Sequence, residues 1–335
     1  MKALKWILIV LVLLIVLTVA IGYMLPREIV VTTSEKINLR PQKVFHFIAA
    51  FIDRSAWDPW TKADTAAECT FDLQDGYIGS QYTWDSKKAW YGTEVVDSVV
   101  PGSLILTRLS FNRGPEMPEE WTFTRDEGGT DLTWTIKTAT EGPVGRIANT
   151  ILKKTLQKKM ESAKINLKNY LETHEVQLSS TTDLGVDDFA AFEALVCNGS
   201  GTIEQSARIL GEYFGKVMSA IEAQGLKTQG MPFALYTNFD SATGRCDIAA
   251  GFPVSFGGKS SGEVMAVKYP SFQAVKAINT GPYWDITETY KALQAFADTN
   301  NLSLTGDSWE YYFNSPNEVK DPTKLQTLVV MPIKK

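Results

Sequence analysis

The chain has 335 residues and a formal charge of −5, with 44% hydrophobic and 21% charged residues. This composition supports packed cores and excludes wholesale disorder, collagen and disulfide-scaffold classes. The acidic balance argues against a nucleic-acid-binding surface. Two histidines (His46, His174) and three cysteines, in no CxxC, HExxH or EF-hand pattern, indicate neither a metal site nor a cofactor.

Residues 6–25, WILIVLVLLIVLTVAIGYML, carry no charge. About 20 apolar residues span a ~30 Å hydrocarbon core as a helix, and Trp6 and Tyr23 stand where interfacial aromatics are favoured. A cleaved signal peptide has a shorter apolar region, usually ~7–15 residues, so an uncleaved anchor is expected over residues 1–26. Lys2 and Lys5 precede it, whereas Arg27 beyond it is offset by Glu28. The positive-inside rule then keeps the N-terminus in the cytoplasm and exports the rest.

A first soluble domain is expected over 27–174. A strand at 29–39 leads to a helix opened by Pro41, with Val44, Phe47, Ile48 and Phe51 on one face. Strand-like runs follow at 81–85, 90–99, 103–111, 120–125 and 130–137, with a hairpin signal at Asp126-Glu-Gly-Gly129. A long helix closes the domain from Pro143 to Glu172, with Val144, Ile147, Ile151, Leu156, Met160, Leu167 and Leu171 as its expected buried stripe. Its lysines 153, 154, 158, 159, 164 and 168 read as a solvated face or, more sharply, as a contact for anionic headgroups. The opening strand, Pro41-Gln-Lys-Val-Phe45, Ser55-Ala-Trp-Asp-Pro-Trp60, the strand pairs and the terminal helix together resemble the START-like superfamily in its polyketide-cyclase/SRPBCC branch. That resemblance implies an α+β helix-grip fold with a cavity for lipids or other apolar molecules. Trp57, Trp60, Trp84, Trp90, Trp121 and Trp134 fill its core or line that cavity. No paired carboxylates or nucleophile–base pair stand at a recognisable spacing, so no chemistry is assigned here; His46 reads as a packing or helix-surface residue.

The region 175–335 repeats itself. Leu226, Gly230, Tyr236 and Asn238 correspond to Leu302, Gly306, Tyr312 and Asn314 at one offset of 76 positions. Each half reads strand, helix, strand, strand. Thr202 and Gln205 form a capping-box pattern before a stripe of Ile203, Ala207, Leu210, Phe214, Val217 and Ile221; Gly225 ends that helix in the left-handed conformation. Ile286, Tyr290, Leu293 and Phe296 mark the second helix, with Asn301 in the place of Gly225. Cys197 and Cys246 pair if their strands are neighbours, and otherwise are free buried thiols. The stretch 173–188 reads as a linker, or as a strand at its start through Val176 and Leu178.

Gly251-Phe-Pro-Val254, Thr280-Gly-Pro-Tyr283, Trp309-Glu-Tyr-Tyr-Phe-Asn314 with Pro316, and the final Val-Met-Pro-Ile at 330–333 resemble the GyrI-like effector-binding domain. The resemblance implies tandem βαββ modules around a groove for small, often cationic and aromatic ligands, and some members hydrolyse reactive molecules with a Glu and a Tyr. The family's acidic site residue falls on Glu310. Strand alternation puts Glu310 and Tyr312 on one face, and Trp309 and Tyr311 on the other. A carboxylate among aromatics suits a lipophilic cation; Tyr283, Trp284 and Phe252 are further pocket candidates placed by their motifs. No helix-turn-helix is legible in 27–172, so the DNA-binding role of relatives is not carried over.

The expected protein is therefore a membrane-anchored binder or sensor of small apolar or lipophilic cationic molecules. It would sit single-pass in a bacterial inner membrane, its soluble domains periplasmic and its bilayer contact made through residues 6–25. The alternatives are a hydrolase using Glu310 as general acid/base with Tyr312 assisting, and an interaction module with vestigial pockets.

Overall fold

The computed structural model describes residues 2–334 except Ala63, Thr65, Asp75, Ala89, Glu127 and residues 175–177, and only the backbone of Lys2, Ala3 and Glu204. The expected hairpin at 126–129 and the Val176 strand alternative lie partly outside the described residues. The chain divides into two compact units, Met1–Val176 and Gln177–Lys335.

The first unit begins with α1 (Lys2–Met24), an exposed apolar helix of mean hydropathy 3.1 over Leu4–Met24, long and apolar enough to cross a membrane. Then come β1 (Glu28–Ile37), α2 (Pro41–Ala49), the single turn α3 (Arg54–Trp57), β2 (Glu68–Asp72), β3 (Gln81–Asp85), β4 (Gly92–Val100), β5 (Leu104–Phe111), β6 (Met117–Asp126), β7 (Gly129–Ala139) and α4 (Pro143–Thr173). The strands form one antiparallel sheet in the order β1-β7-β6-β5-β4-β3-β2, a meander closed by β1 pairing back on β7. Alternation along β1 turns Ile29, Val31, Thr33 and Ile37 inward. Leu156, Met160, Ala163, Leu167 and Leu171 lay α4 on the same core. The edge strand β2 had no sequence signal: it is short and almost wholly exposed. The expected stripe of α4 needs correction at its start, where Val144 is 69% and Ile151 66% exposed. His46 is buried on α2, its Nδ1 2.7 Å from the Tyr77 hydroxyl.

Five of the six noted tryptophans are buried, and Trp90 is exposed. Trp121 and Trp134, paired across β6 and β7, stack with centroids 4.3 Å apart. Between β1 and α4 a crevice of about 10 Å³ remains, floored by Trp57, Trp121 and Trp134, room for about one water. Three buried indoles thus stand between sheet and helix, where the helix-grip resemblance implies a cavity.

The second unit comprises β8 (Ser180–Phe189), β9 (Phe192–Thr202), α5 (Ser206–Ala223), β10 (Phe233–Asp240), β11 (Arg245–Pro253), β12 (Val264–Tyr269), β13 (Phe272–Thr280), α6 (Thr287–Thr299), β14 (Ser308–Tyr312) and β15 (Gln326–Pro332). Its sheet runs β12-β9-β11-β10-β14-β15-β13-β8. The Thr202–Gln205 capping box is formed. Gly225 (φ 64°) and Asn301 (φ 55°) both take the left-handed conformation that ends their helices. Each repeat contributes three inner strands, β9-β11-β10 and β13-β15-β14. The edges are exchanged: β8 precedes β9 but pairs with β13, and β12 precedes β13 but pairs with β9. The cysteine strands β9 and β11 are neighbours, yet Cys246 stands opposite Gly201 and Cys197 opposite Ala250. Four residues of offset is about 13 Å along a strand, and both thiols are free.

The first unit brings together an arginine and two carboxyls that are far apart in sequence. Arg54, wholly buried, bonds Glu94 Oε2 and lies 4.2 Å from the Trp57 ring centre. Glu119, 2% exposed, accepts from Thr107 Oγ1 at 2.8 Å. Arg54 Nε and Nη1, Glu94 Oε1 and Glu119 Oε1 are buried without a hydrogen-bond partner among the described residues. Burial raises the pKa of both carboxyls; that of Glu119 lies well above the usual range, because the neighbouring Glu94 charge adds to the effect of burial. A carboxyl with a raised folded-state pKa keeps its proton where the unfolded chain has lost it, so stability falls as pH rises from the ordinary carboxylate range through the raised value. Glu119→Gln is expected to flatten that fall, measured by denaturant unfolding of the full chain in detergent with tryptophan emission as the signal. Arg54→Met strands the Glu94 charge and is expected to cost about 3–5 kcal/mol in the same measurement.

Candidate functional site

The repeat offset and the strand register coincide at one place. β10 and β14 pair antiparallel with Phe233 opposite Tyr311, Ala234 opposite Glu310 and Leu235 opposite Trp309. Ala234 and Glu310 are also equivalent positions of the two repeats, so the local two-fold axis passes through that pair. Helices α5 and α6 lie on the face to which Ala234, Tyr236 and Tyr312 belong. The opposite face carries Phe233, Trp309 and Tyr311 with Tyr269 and Phe272 around them. Tyr269 meets Trp309 edge-on at 4.8 Å, and Phe272 stacks on it at 5.6 Å.

Glu310 is 8% exposed. Its Oε1 accepts from the Tyr290 hydroxyl at 2.8 Å and its Oε2 from Tyr312 at 2.7 Å; the Tyr236 hydroxyl makes a longer contact to Oε2 at 3.5 Å. Among the described residues no basic side chain pairs with it. Burial pushes the Glu310 carboxyl above its usual range, while the three phenol donors pull it back down. The hydroxyls of Tyr236, Tyr290 and Tyr312 are held well above the usual tyrosine range by burial and by the Glu310 charge, so they stay as donors.

Three elements build this arrangement. Strand β14 presents Glu310 and Tyr312 two residues apart on one face, β10 supplies Tyr236 beside them, and α6 lowers Tyr290 onto the carboxylate. Tyr283, in the 3₁₀ turn Tyr283–Asp285, meets the Tyr312 ring edge-on at 5.4 Å and donates to the Asn314 carbonyl at 3.0 Å. Phe252 lies one ring further out: it contacts Phe214, which in turn contacts Tyr312. Trp284 is half-buried beside Tyr283 in sequence, and the ring contacts of Tyr312 include Phe214 and Tyr283. Tyr290 and Tyr236 are the carboxylate partners that the sequence did not single out. A signal existed for Tyr290: at the repeat offset its counterpart is Phe214, so one helix stripe carries a hydroxyl where the other carries none. The first repeat thus offers Ala234 and Phe214 where the second offers Glu310 and Tyr290.

An open cavity of the unit lies elsewhere. It measures about 330 Å³ and is lined by Leu178, Ser179, Ser180, Thr280 and Thr323. The carboxylate itself is covered by phenols, and a ligand reaching it must displace rings of the α5–α6 face.

Residues 28–172 match the family described as polyketide cyclase / dehydrase and lipid transport, and residues 186–334 match the GyrI-like small molecule binding domain. No curated protein matches the chain. Among solved structures, the chain is similar to the EcmrR C-terminal domain at 19% identity, covering 47% of this chain and 99% of that one with a TM-score of 0.42. A hydrolase encoded by lin2189 from Listeria innocua is 14% identical, with 45% and 91% covered and a TM-score of 0.34. SAV2435 bound to tetraphenylphosphonium is 10% identical, with 46% and 94% covered and a TM-score of 0.33. The chain is therefore a mixed α+β protein that carries, in this order, a polyketide cyclase / dehydrase and lipid transport domain and a GyrI-like small molecule binding domain.

Proposed function

We propose that the GyrI-like unit binds small lipophilic cations at Glu310, in a chain that residues 6–25 hold in a membrane as a tethered binder or sensor. The observation that carries this reading is a buried carboxylate with no basic partner among the described residues, surrounded by aromatic rings. An isolated buried charge is costly. Three phenol donors reduce that cost without neutralising the charge, so a cation entering among the rings gains charge pairing and cation–π attraction together. Tyr283 and Phe214 border Tyr312 and supply apolar wall, with Phe252 behind Phe214; Trp284 is kept as a candidate by its place next to Tyr283.

The hydrolytic reading uses the same pair. The 2.7 Å bond between Tyr312 and Glu310 would let a protonated Glu310 act as general acid with Tyr312 assisting. Turnover of an electrophilic ester, abolished by Glu310→Gln, would replace the binding reading; binding without turnover supports it.

Isothermal titration of the full chain in detergent is expected to show saturable binding of tetraphenylphosphonium. Glu310→Gln is expected to weaken it by about 1.5–3 kcal/mol, roughly ten- to hundredfold in Kd, while leaving neutral triphenylphosphine oxide nearly unchanged. Equal losses for both compounds would point to damaged packing. Tyr290→Phe, which gives the second helix the ring of Phe214, removes the donor to Oε1 and is expected to raise the Glu310 pKa further, so that cation binding weakens most at acid pH.

For the tether, intact-mass analysis of protein from membranes is expected to find residues 1–26 retained, and alkaline phosphatase fused after Lys335 is expected to be active outside the cytoplasm. A mature N-terminus beyond Ala20 would overturn the anchor, and a cytoplasm-active reporter would overturn its orientation.

A further inference from the structure

The six lysines of α4 divide into two groups. Lys159 donates to the Pro59 carbonyl at 2.8 Å and lies over the Trp60 ring; Lys164 pairs with Glu161 and Glu35, and Lys168 with Glu172 and Glu35. These three hold the helix to its own domain. Lys153, Lys154 and Lys158 are exposed, and among the described residues they form no ion pair. They stand on the N-terminal half of α4, beyond the exposed Val144 and Ile151. Helical spacing puts Val144, Ile151, Lys154 and Lys158 on one stripe, opposite the buried Leu156, Met160, Ala163 and Leu167.

That half of the helix adjoins the apolar helix α1. Gly22 approaches Pro143 so closely that a Cβ there would lie 2.5 Å from the Pro143 carbonyl oxygen. Arg146 reaches back to the last turn of α1, donating to the Tyr23 and Leu25 carbonyls at 3.2 and 3.3 Å, with its guanidinium 5.4 Å from the Tyr23 ring centre. Carbonyls at a helix C-terminus lack intrahelical donors and carry partial negative charge, so this arginine fixes the start of α4 at the end of α1. If α1 spans a bilayer, Tyr23 lies at its interface and the start of α4 lies there too.

We propose that the N-terminal half of α4 rests on the bilayer's headgroup layer, with Val144 and Ile151 dipping toward the acyl boundary and Lys154 and Lys158 contacting anionic phospholipid headgroups. The inference rests on the anchor reading above. An apolar stripe followed by lysines on the same helix face is the pattern of an interfacial helix, and lysine stems can lie along the apolar surface while their ammonium groups reach phosphate. The occupant follows from continuity with α1 and from charge: two exposed cations on the stripe beside a bilayer surface attract anionic lipid. The contact would fix the tilt of the first unit against the membrane.

The test uses the full chain in nanodiscs, with an environment-sensitive NBD label on Ile151→Cys in a Cys69→Ser background, since Cys197 and Cys246 are buried. Ile151 is exposed, so the substitution leaves the core intact. NBD emission is expected to brighten and shift to the blue when an anionic phospholipid is added to zwitterionic discs, and to revert in high salt. Each of Lys154→Gln and Lys158→Gln is expected to lower the ratio of lipid-contacting to free states by about fivefold at low salt, and the double variant to abolish the response, whereas Lys153→Gln, off that stripe, is expected to change it little. Emission equal to that of a fully hydrated label in both lipid compositions would overturn the proposal, as would brightening that requires two chains per disc. Brightening that ignores the lysines and the lipid charge would overturn the headgroup contact. A chain that loses residues 1–26 or fails to float with vesicles would overturn the anchor reading instead, and the two failures are read separately.

Discussion

A carboxylate removed from water needs either a counter-cation or a set of donors aimed at its oxygens, and at Glu310 only donors are found among the described residues. That requirement organises much of the second unit. Tyr312 must share a strand face with Glu310, β10 must pair in the register that brings Tyr236 alongside, and α6 must pack where Tyr290 reaches Oε1. The duplicated architecture supplies these positions twice, and the chain uses them once. Ala234 and Phe214 in the first repeat need no partners, so the two halves share a backbone plan while differing in the polar groups at their common axis. A symmetric pair of carboxylates opposite each other would face mutual repulsion in a dry site; one carboxylate against an alanine avoids it.

The first unit treats buried charge differently. Arg54 lies against the Trp57 ring and binds Glu94, and Glu119 beside them is favoured as the neutral acid. Its charges are largely compensated within the domain, and Trp57, Trp121 and Trp134 are buried between sheet and helix. On the outside of α4 the division is again between used and unused charge: lysines of its C-terminal half are tied to the domain's own carboxylates and carbonyls, and those of the N-terminal half are not.

Much of this was legible in the sequence because it rests on local spacing. Alternation marked β3 to its ends, the Thr202–Gln205 capping box marked the start of the first repeat helix, and Asn301 could be matched to Gly225 through a shared left-handed ending. Glu310 and Tyr312 were legible together because they are two residues apart on one strand. What was missed depends on register and long-range approach. Glu94 and Glu119 stand on strands separated by β5, and Arg54 reaches them from a single helical turn, so no spacing announces the cluster. Tyr290 reads as one more apolar-stripe position until α6 packs over β13, β8 and β15. The exchanged edges β8 and β12 leave no trace in composition, because each pairs with the other repeat. Val144 and Ile151 mislead periodicity because apolar spacing marks a stripe without saying what covers it, and both are exposed.

In the proposed binding mode Glu310 meets a cationic ligand as a carboxylate whose burial has raised its pKa. Cation binding must then expel the carboxyl proton wherever the free protein holds one. Calorimetric titration of tetraphenylphosphonium into the full chain, repeated in buffers of different ionisation enthalpy across a series of pH values, measures the protons released per ligand bound. The account predicts release at acid pH that fades as pH rises through the Glu310 titration, and none at any pH in Glu310→Gln. Binding that releases no proton across the series, or release that persists in Glu310→Gln, would contradict it.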